Sequence, residues 1–162
     1  MAFRLGMAES RPIKNSFSFY PADMTALEER VDGLQKAGLN VRSATVLRAL
    51  IHLTTPSEMI ALAVRLAGDK ALGVAAPEDE IVTGHPTVNL PKGDVQKLDG
   101  VVAHLAKAKI IATRAYVVRA VLRAAPSGKK LAPRVEKFLA DFPNKPRGLS
   151  KIRLERLAKD NG

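Results

Sequence analysis

The sequence repeats itself once at a constant spacing of 71 residues, and this repeat limits the possible folds more than any other feature. Residues 17–50 align with residues 88–121 without a gap, and ten of the aligned positions are identical. About two or three identities are expected by chance in such a window. Two copies of one short structural unit are therefore predicted. The identical pairs are Asp23/Asp94, Leu27/Leu98, Val31/Val102, Leu34/Leu105, Lys36/Lys107, Ala37/Ala108, Ala44/Ala115, Val46/Val117, Arg48/Arg119 and Ala49/Ala120.

Each copy begins with a short stretch in which apolar and polar residues alternate. The alternation runs through residues 16–19 in the first copy and residues 87–90 in the second. This period of two is typical of a strand with one buried face. Neighbouring prolines keep both strands short. The apolar face is formed by Phe17, Phe19, Val88 and Leu90, and the polar face by Ser16, Ser18, Thr87 and Asn89.

A helical period follows each predicted strand. Apolar residues recur at four- and three-residue spacing from residue 27 to residue 34 and from residue 98 to residue 105, and a further apolar residue follows at positions 39 and 110. This pattern predicts an amphipathic helix in each copy. Asp23 and Asp94 stand at the beginning of these helices, where a carboxylate caps N–H groups and interacts favourably with the helix dipole.

A turn and a second helix complete each copy. Gly38 supplies a stop for the first helix of copy one, whereas Lys109 occupies the matching position in copy two. The second helices are predicted over residues 41–50 and 112–121, each with one apolar side.

A further helix is predicted after each copy. Residues 55–58 form a capping box with a proline at the first helical position, and residues 132–142 carry an apolar stripe. We expect these two helices to pack on the sides of the double unit or to contact neighbouring copies of the protein. The predicted organisation is a flexible arm (1–13), a first unit (14–54), an extra helix and acidic linker (55–84), a second unit (85–125), another helix (126–143) and a basic tail (144–162).

The fold class follows from what the strands need for burial. One strand with two helices cannot bury its apolar strand face alone, whereas two strands can pair over four helices. The sequence therefore predicts a mostly α-helical protein with a two-stranded antiparallel β-ribbon formed within one chain. The spacer is also long enough for a dimer in which a strand pairs with another chain.

The charge points to an anionic partner. The chain carries 26 Lys+Arg and 16 Asp+Glu, a formal net charge of +10. Residues 85–125 carry 7 basic and 2 acidic side chains, residues 126–162 carry 10 and 4, and residues 55–84 carry 2 and 5. Basicity alone does not distinguish DNA, RNA and membrane surfaces. The aromatic content of 4% disfavours binding of single strands, which depends on ring stacking.

Catalytic and metal chemistry find no support in the sequence. Cysteine is absent, which excludes disulfides, thiol nucleophiles and thiolate metal sites. The sequence contains no Gly-rich phosphate loop and no nucleophile elbow. No apolar run approaches the roughly 18 residues of a membrane span. We expect a cytoplasmic protein that is not an enzyme and holds no metal or cofactor.

The order of strand, helix, turn and second helix resembles the ribbon-helix-helix family of DNA-binding proteins. The resemblance rests on residues 16–20 with 42–50, and on residues 87–91 with 113–119. The tandem form is similar to the single-chain arrangement of the T-DNA transfer-enhancing virulence proteins of plant-tumour bacteria. The resemblance implies two tandem ribbon-helix-helix units that form an intramolecular pseudo-dimer.

The resemblance also implies which residues contact double-stranded DNA. In the family the ribbon enters the major groove and the N-termini of the second helices hold phosphates. The implied base contacts are Ser16, Ser18, Thr87 and Asn89. The implied phosphate contacts are Lys14, Arg42, Ser43, His85, Thr113 and Arg114. Two of them, Lys14 and His85, extend the polar strand face and can reach either bases or phosphates. The resemblance also implies a nucleoid-associated location.

Three biological roles stay open at this point. The first is a transcriptional repressor that occludes a promoter. The second is an accessory factor of a plasmid or mobile-element transfer complex (a relaxosome), with a relaxase or another transfer protein as partner. The third is an antitoxin-like protein-interaction module. Further copies of the protein on adjacent DNA sites are also expected partners.

Overall fold

Two short strands and six helices form the part of the chain that the computed structural model describes, residues 12–71 and 81–142. The predicted class, mostly helical with a two-stranded antiparallel sheet, is confirmed. Most of the predicted arm, part of the acidic linker and the basic tail lie outside the described residues. The elements are β1 (Ile13–Ser16), α1 (Pro21–Lys36), α2 (Ser43–Leu53), α3 (Pro56–Ala71), β2 (Thr87–Leu90), α4 (Lys92–Lys107), α5 (Arg114–Ala124) and α6 (Gly128–Asp141).

The two strands pair with each other in antiparallel orientation. An isolated bridge between Phe19 and Gly84 extends the pairing beyond β1. Regular pairing ends before Phe17, earlier than the alternation predicts, because Pro86 on the opposite strand has no N–H to donate. The register pairs Ile13 with Leu90, Lys14 with Asn89, Asn15 with Val88 and Ser16 with Thr87.

The predicted faces of the ribbon are confirmed. Phe17, Phe19, Val88 and Leu90 are all buried, and the two phenyl rings stack with centroids 6.5 Å apart. Asn15 shares this buried face, where its amide donates to the carbonyl of Ile13 at 3.0 Å. The ribbon thus covers the helices with one side and leaves the other side to solvent.

The first helix of each copy ends in the same way. The N–H of Leu39 donates to the carbonyl of Leu34 at 3.0 Å, and the matching bond in the second copy measures 2.9 Å. This six-to-one bond belongs to a Schellman motif, which places the residue after the C-cap in the left-handed region. Gly38 has φ of 91° and Lys109 has φ of 64°. Lysine therefore adopts the backbone conformation that glycine adopts in the first copy.

Helix α3 begins where the capping box predicts. The N–H of Glu58 donates to the hydroxyl of Thr55 at 3.2 Å, as the capping box requires. The helix continues past Gly68 to Ala71. A Cβ at Gly68 would meet no atom within 4 Å, so this glycine costs the helix only its propensity, about 1 kcal/mol.

Each of the two extra helices packs on the copy that it does not follow in the sequence. Helix α3, which follows the first copy, packs on α4 and α5 of the second copy. Helix α6, which follows the second copy, packs on α1 and α2 of the first copy. The prediction that these helices pack on the sides of the double unit is confirmed. Helix α3 covers the second copy and helix α6 covers the first. One apolar core contains residues from both copies.

A close backbone contact fixes α6 against α1. A Cβ built on Gly128 would lie 2.7 Å from the Cα of Gly33, and a Cβ on Gly33 would lie 2.9 Å from the Cα of Gly128. Only glycine allows the two helices to approach this closely. The carbonyl of Ala125, just before α6, also accepts a hydrogen bond from Arg30 at 2.8 Å.

Candidate nucleic-acid interface

The solvent-exposed face of the ribbon brings together six of the residues predicted to contact DNA. Lys14 lies opposite Asn89, and Ser16 lies opposite Thr87. The same register, continued to the Phe19–Gly84 bridge, places residue 18 opposite residue 85. All six are exposed and none of them is acidic; they are Lys14, Ser16, Ser18, His85, Thr87 and Asn89. We call this group the ribbon face.

The ribbon face presents hydrogen-bonding groups of both kinds. The Asn89 amide has two donors and one acceptor oxygen, the Ser16 and Thr87 hydroxyls donate and accept, and the Lys14 ammonium donates only. Because successive side chains on a strand alternate between faces, these groups point away from the buried phenyl rings. The face can therefore match a surface that displays donors and acceptors in a row.

Helix α2 begins with two exposed residues. Arg42 is the N-cap residue, with φ of −122° and ψ of 173°, and both Arg42 and Ser43 are exposed. The Arg42 side chain makes no capping hydrogen bond to the first turn of α2. Its guanidinium is exposed at the positive end of the helix dipole, where an anion can bind. Helix α2 packs against β2.

Helix α5 begins beside the first strand. A cavity of about 620 Å³ lies between β1 and the first residues of α5. The Thr113 hydroxyl caps the helix by accepting a hydrogen bond from the N–H of Tyr116 at 3.1 Å. The walls of the cavity include the predicted DNA contacts Lys14, Ser16, Ser18, Thr113 and Arg114.

Arg114 is held by two neighbours. Its Nε donates to Oδ1 of Asp99 at 2.6 Å and its Nη2 donates to Oδ2 at 2.8 Å, while Nη1 donates to Oδ1 of Asn15 at 2.9 Å. The hydrogen bond from Arg114 lowers the pKa of the Asp99 carboxyl, and the same bond raises the pKa of the guanidinium. The sequence indicated Arg114 as a phosphate contact but not its two partners.

A buried ion pair joins the two copies. Asp23 has no exposed surface; its carboxylate accepts hydrogen bonds from Nε of Arg119 at 3.0 Å and from Nε of Arg123 at 2.6 Å. It also accepts from the N–H of Tyr20 at 2.9 Å, so the predicted role at the beginning of the helix is confirmed. Arg119 lies 4.5 Å from the centroid of the Tyr20 ring. In the sequence, the only sign of this ion pair was that Asp23 is identical to Asp94, and Arg119 to Arg48, in the alignment of the two copies.

The matching carboxylate of the second copy has weaker partners. Asp94 lies 3.2 Å from Nδ1 of His52 and 3.7 Å from Nζ of Lys97. The Lys97 ammonium also donates to the carbonyl of Thr54 at 2.9 Å. Burial lowers the pKa of Lys97, and the Asp94 carboxylate offsets part of that shift.

Across residues 12–71 and 81–142, no group of three or more His, Asp or Glu side chains is arranged to hold a metal ion. The helices in these ranges are too short or too polar for any of them to cross a membrane. The candidate site consists of the ribbon face and the beginnings of α2 and α5.

No protein-family model, curated protein or solved structure matches the chain.

Proposed function

We propose that the chain binds double-stranded DNA in a sequence-specific way, with the ribbon face in the major groove. The observation that carries the proposal is the in-register pairing of Lys14 with Asn89 and of Ser16 with Thr87 on one exposed face. The major groove is about 12 Å wide and admits a two-stranded ribbon. A polar face without carboxylates suits this surface, which displays donors and acceptors between two lines of phosphates.

In this proposal the two sequence copies are ribbon-helix-helix units, joined so that one chain forms a pseudo-dimer. Three features support it: β1 pairs with β2 of the same chain, the extra helices α3 and α6 exchange sides, and one core contains residues from both copies. A single chain would then supply what a dimer supplies in the ordinary members of the family.

The two ends of the ribbon face differ in their capacity to recognise bases. Asn89 can bond both N6 and N7 of adenine, and Lys14 across from it can bond O6 and N7 of guanine. Ser18 and His85 at the other end are permissive readers, because the serine hydroxyl both donates and accepts and the imidazole can present a donor and an acceptor nitrogen. The preferred DNA site is therefore asymmetric, with the stricter requirement under the Lys14–Asn89 end.

Phosphates supply most of the affinity in this proposal. The beginning of α2, with Arg42 and Ser43, would hold the backbone on the β2 side of the ribbon. The beginning of α5, with Thr113 and Arg114, would hold the backbone on the β1 side. Each helix end offers N–H groups and the positive end of the helix dipole. The net charge of +10 adds long-range attraction.

The biological role follows from where the preferred site lies. Binding over a promoter would make the protein a repressor, the role we propose first. Binding at a transfer origin would instead make it an accessory factor for a relaxase. The position of the preferred sequence in the host DNA separates the two roles.

Selection from a pool of random DNA duplexes tests the proposal. The selected duplex and a scrambled one are compared for the wild type and for a variant with Thr87→Ala and Asn89→Ala. The preference is the ratio of the affinity for the selected duplex to the affinity for the scrambled duplex. We expect this ratio to fall about tenfold or more in the variant, because a good base contact discriminates by about 1–3 kcal/mol. Affinity for the scrambled duplex should change little.

A matched variant controls for the loss of polar surface. Thr25 and Gln96 are exposed on α1 and α4 and do not belong to the ribbon face. Replacing both with alanine should leave the preference unchanged. If the affinity of the ribbon variant falls equally for the selected and the scrambled duplex, or if its preference is unchanged, the ribbon face does not read the bases.

A further inference from the structure

We propose that Asp99 occupies the place of a DNA phosphate at the beginning of α5 and thereby weakens the protein's hold on one of the two DNA backbones. This inference rests on the proposed function and specifies how its two phosphate contacts differ. It assigns a role in binding to a residue that does not lie on the ribbon face.

The geometry of the Arg114–Asp99 pair is that of an anion site already filled. A carboxylate and a phosphate both accept two parallel N–H bonds from one guanidinium fork. Asp99 accepts two such bonds from Arg114, at 2.6 and 2.8 Å, at the first residue of α5.

A third contact keeps the guanidinium beside the ribbon. Oδ1 of Asn15 accepts a hydrogen bond from Nη1 of Arg114 at 2.9 Å, and Asn15 belongs to β1. Arg114 therefore lies beside the first strand whether or not an anion binds. Its partner can be replaced because 40% of the Arg114 side chain and 52% of the Asp99 side chain are exposed. Ion pairs this exposed are worth at most about 1 kcal/mol, so a phosphate can compete for the fork.

The first copy lacks this arrangement. The positions that match Asp99 and Arg114 are occupied by Glu28 and Ser43. Serine has no charge with which to hold the carboxylate. The cation at the beginning of α2 is Arg42, and among the described residues no carboxylate pairs with it. The α2 end therefore presents a net positive charge to DNA, and the α5 end presents a neutral pair.

Two isosteric variants that each remove one negative charge test the inference. The variant Asp99→Asn frees Arg114, whereas Glu28→Gln changes an exposed carboxylate at the matching position of the first copy. Affinity for the selected duplex is measured by fluorescence anisotropy over a series of salt concentrations. Thermal unfolding checks that both variants remain folded.

We expect Asp99→Asn to bind about fivefold more tightly, the effect of removing a like charge about 4 Å from a phosphate in water. Its log–log dependence on salt should be steeper by about one, because one more phosphate is neutralised. Glu28→Gln should change affinity less than about twofold at the same salt.

Three outcomes overturn the inference, and they are distinguishable. If Asp99→Asn binds as the wild type does or more weakly, Asp99 does not compete with phosphate. If Glu28→Gln increases the affinity for the duplex as much as Asp99→Asn does, the increase is a general effect of net charge. If the wild type binds no duplex at any salt concentration, the proposed function fails and the inference fails with it.

Discussion

The carboxylate of Asp23 and the guanidinium of Arg119 form a buried ion pair at 3.0 Å across 96 positions of the sequence. The pair joins the first helix of one sequence copy to the second helix of the other. Arg123, one turn further along α5, bonds the other carboxylate oxygen at 2.6 Å. Neither copy can satisfy this charge alone, because the carboxylate and its two cations belong to different copies.

Replacing Asp23 with alanine should destabilise the protein by about 3–5 kcal/mol. The change leaves Arg119 buried without its carboxylate, and breaking a buried pair by removing one partner costs about this much. Denaturation in urea measures the loss. The matched variant Asp94→Ala should cost less, because 39% of the side chain of its partner His52 is exposed. Equal losses in the two variants would contradict this ranking.

Replacing Gly128 with alanine should destabilise the protein by about 1–3 kcal/mol. The added Cβ would lie 2.7 Å from the Cα of Gly33, so α6 must move away from α1. Gly100 provides the control, because a Cβ there meets no atom within 4 Å inside α4. Alanine at this helical position should stabilise by about 0.5–1 kcal/mol. Thermal unfolding of both variants gives the sign of each effect.

Replacing Lys109 with glycine should stabilise the protein by up to about 1 kcal/mol. Lys109 has φ of 64°, a conformation that costs a side-chain-bearing residue about 1–2 kcal/mol, and glycine's greater freedom in the unfolded chain offsets part of that gain. The reverse experiment is Gly38→Ala, which should destabilise because φ is 91° there. A loss of stability in Lys109→Gly, measured in urea, would mean that its side chain makes contacts worth more than the strain.

The stability difference between wild type and Asp99→Asn should depend on pH. The hydrogen bond from Arg114 lowers the pKa of Asp99 below 3.8 in the folded state. Its contribution is therefore fully present above pH 3.8 and is lost as pH falls through the lower folded-state pKa. Because both side chains are largely exposed, the difference should be less than about 1 kcal/mol at neutral pH. Urea titrations at several pH values measure it; a difference that persists well below the folded-state pKa would contradict the assignment to this ion pair.

The ribbon could be predicted from sequence because strand periodicity is a local property. Two alternating stretches, one in each copy, defined both faces, and the exposed residues from Lys14 to Ser18 lie where the alternation placed them. The repeat added that two strands were available within one chain. Only the position of regular pairing was wrong: Pro86 has no N–H to donate, although its carbonyl still accepts a hydrogen bond from the N–H of Phe17 at 3.1 Å.

Contacts between distant elements could not be predicted in the same way. The resemblance implied that Arg114 contacts phosphate, but its pairing with Asp99 depends on how α5 crosses α4. The exchange of α3 and α6 between the copies likewise depends on packing in three dimensions. Asp23 was identified as a residue at the beginning of a helix from its neighbours, whereas its bond to Arg119 spans most of the chain.

The salt dependence of affinity for duplex DNA tests the central claim most directly. The wild-type protein is titrated onto the selected duplex over a series of salt concentrations. One strand of that duplex, titrated in the same way, serves as the comparison. If the ribbon face and the two helix ends bind several phosphates, a plot of log association constant against log salt concentration should have a slope of about −4 to −8. The duplex should also bind more tightly than the single strand. A flat slope, or no binding of duplex at micromolar protein, would contradict the account.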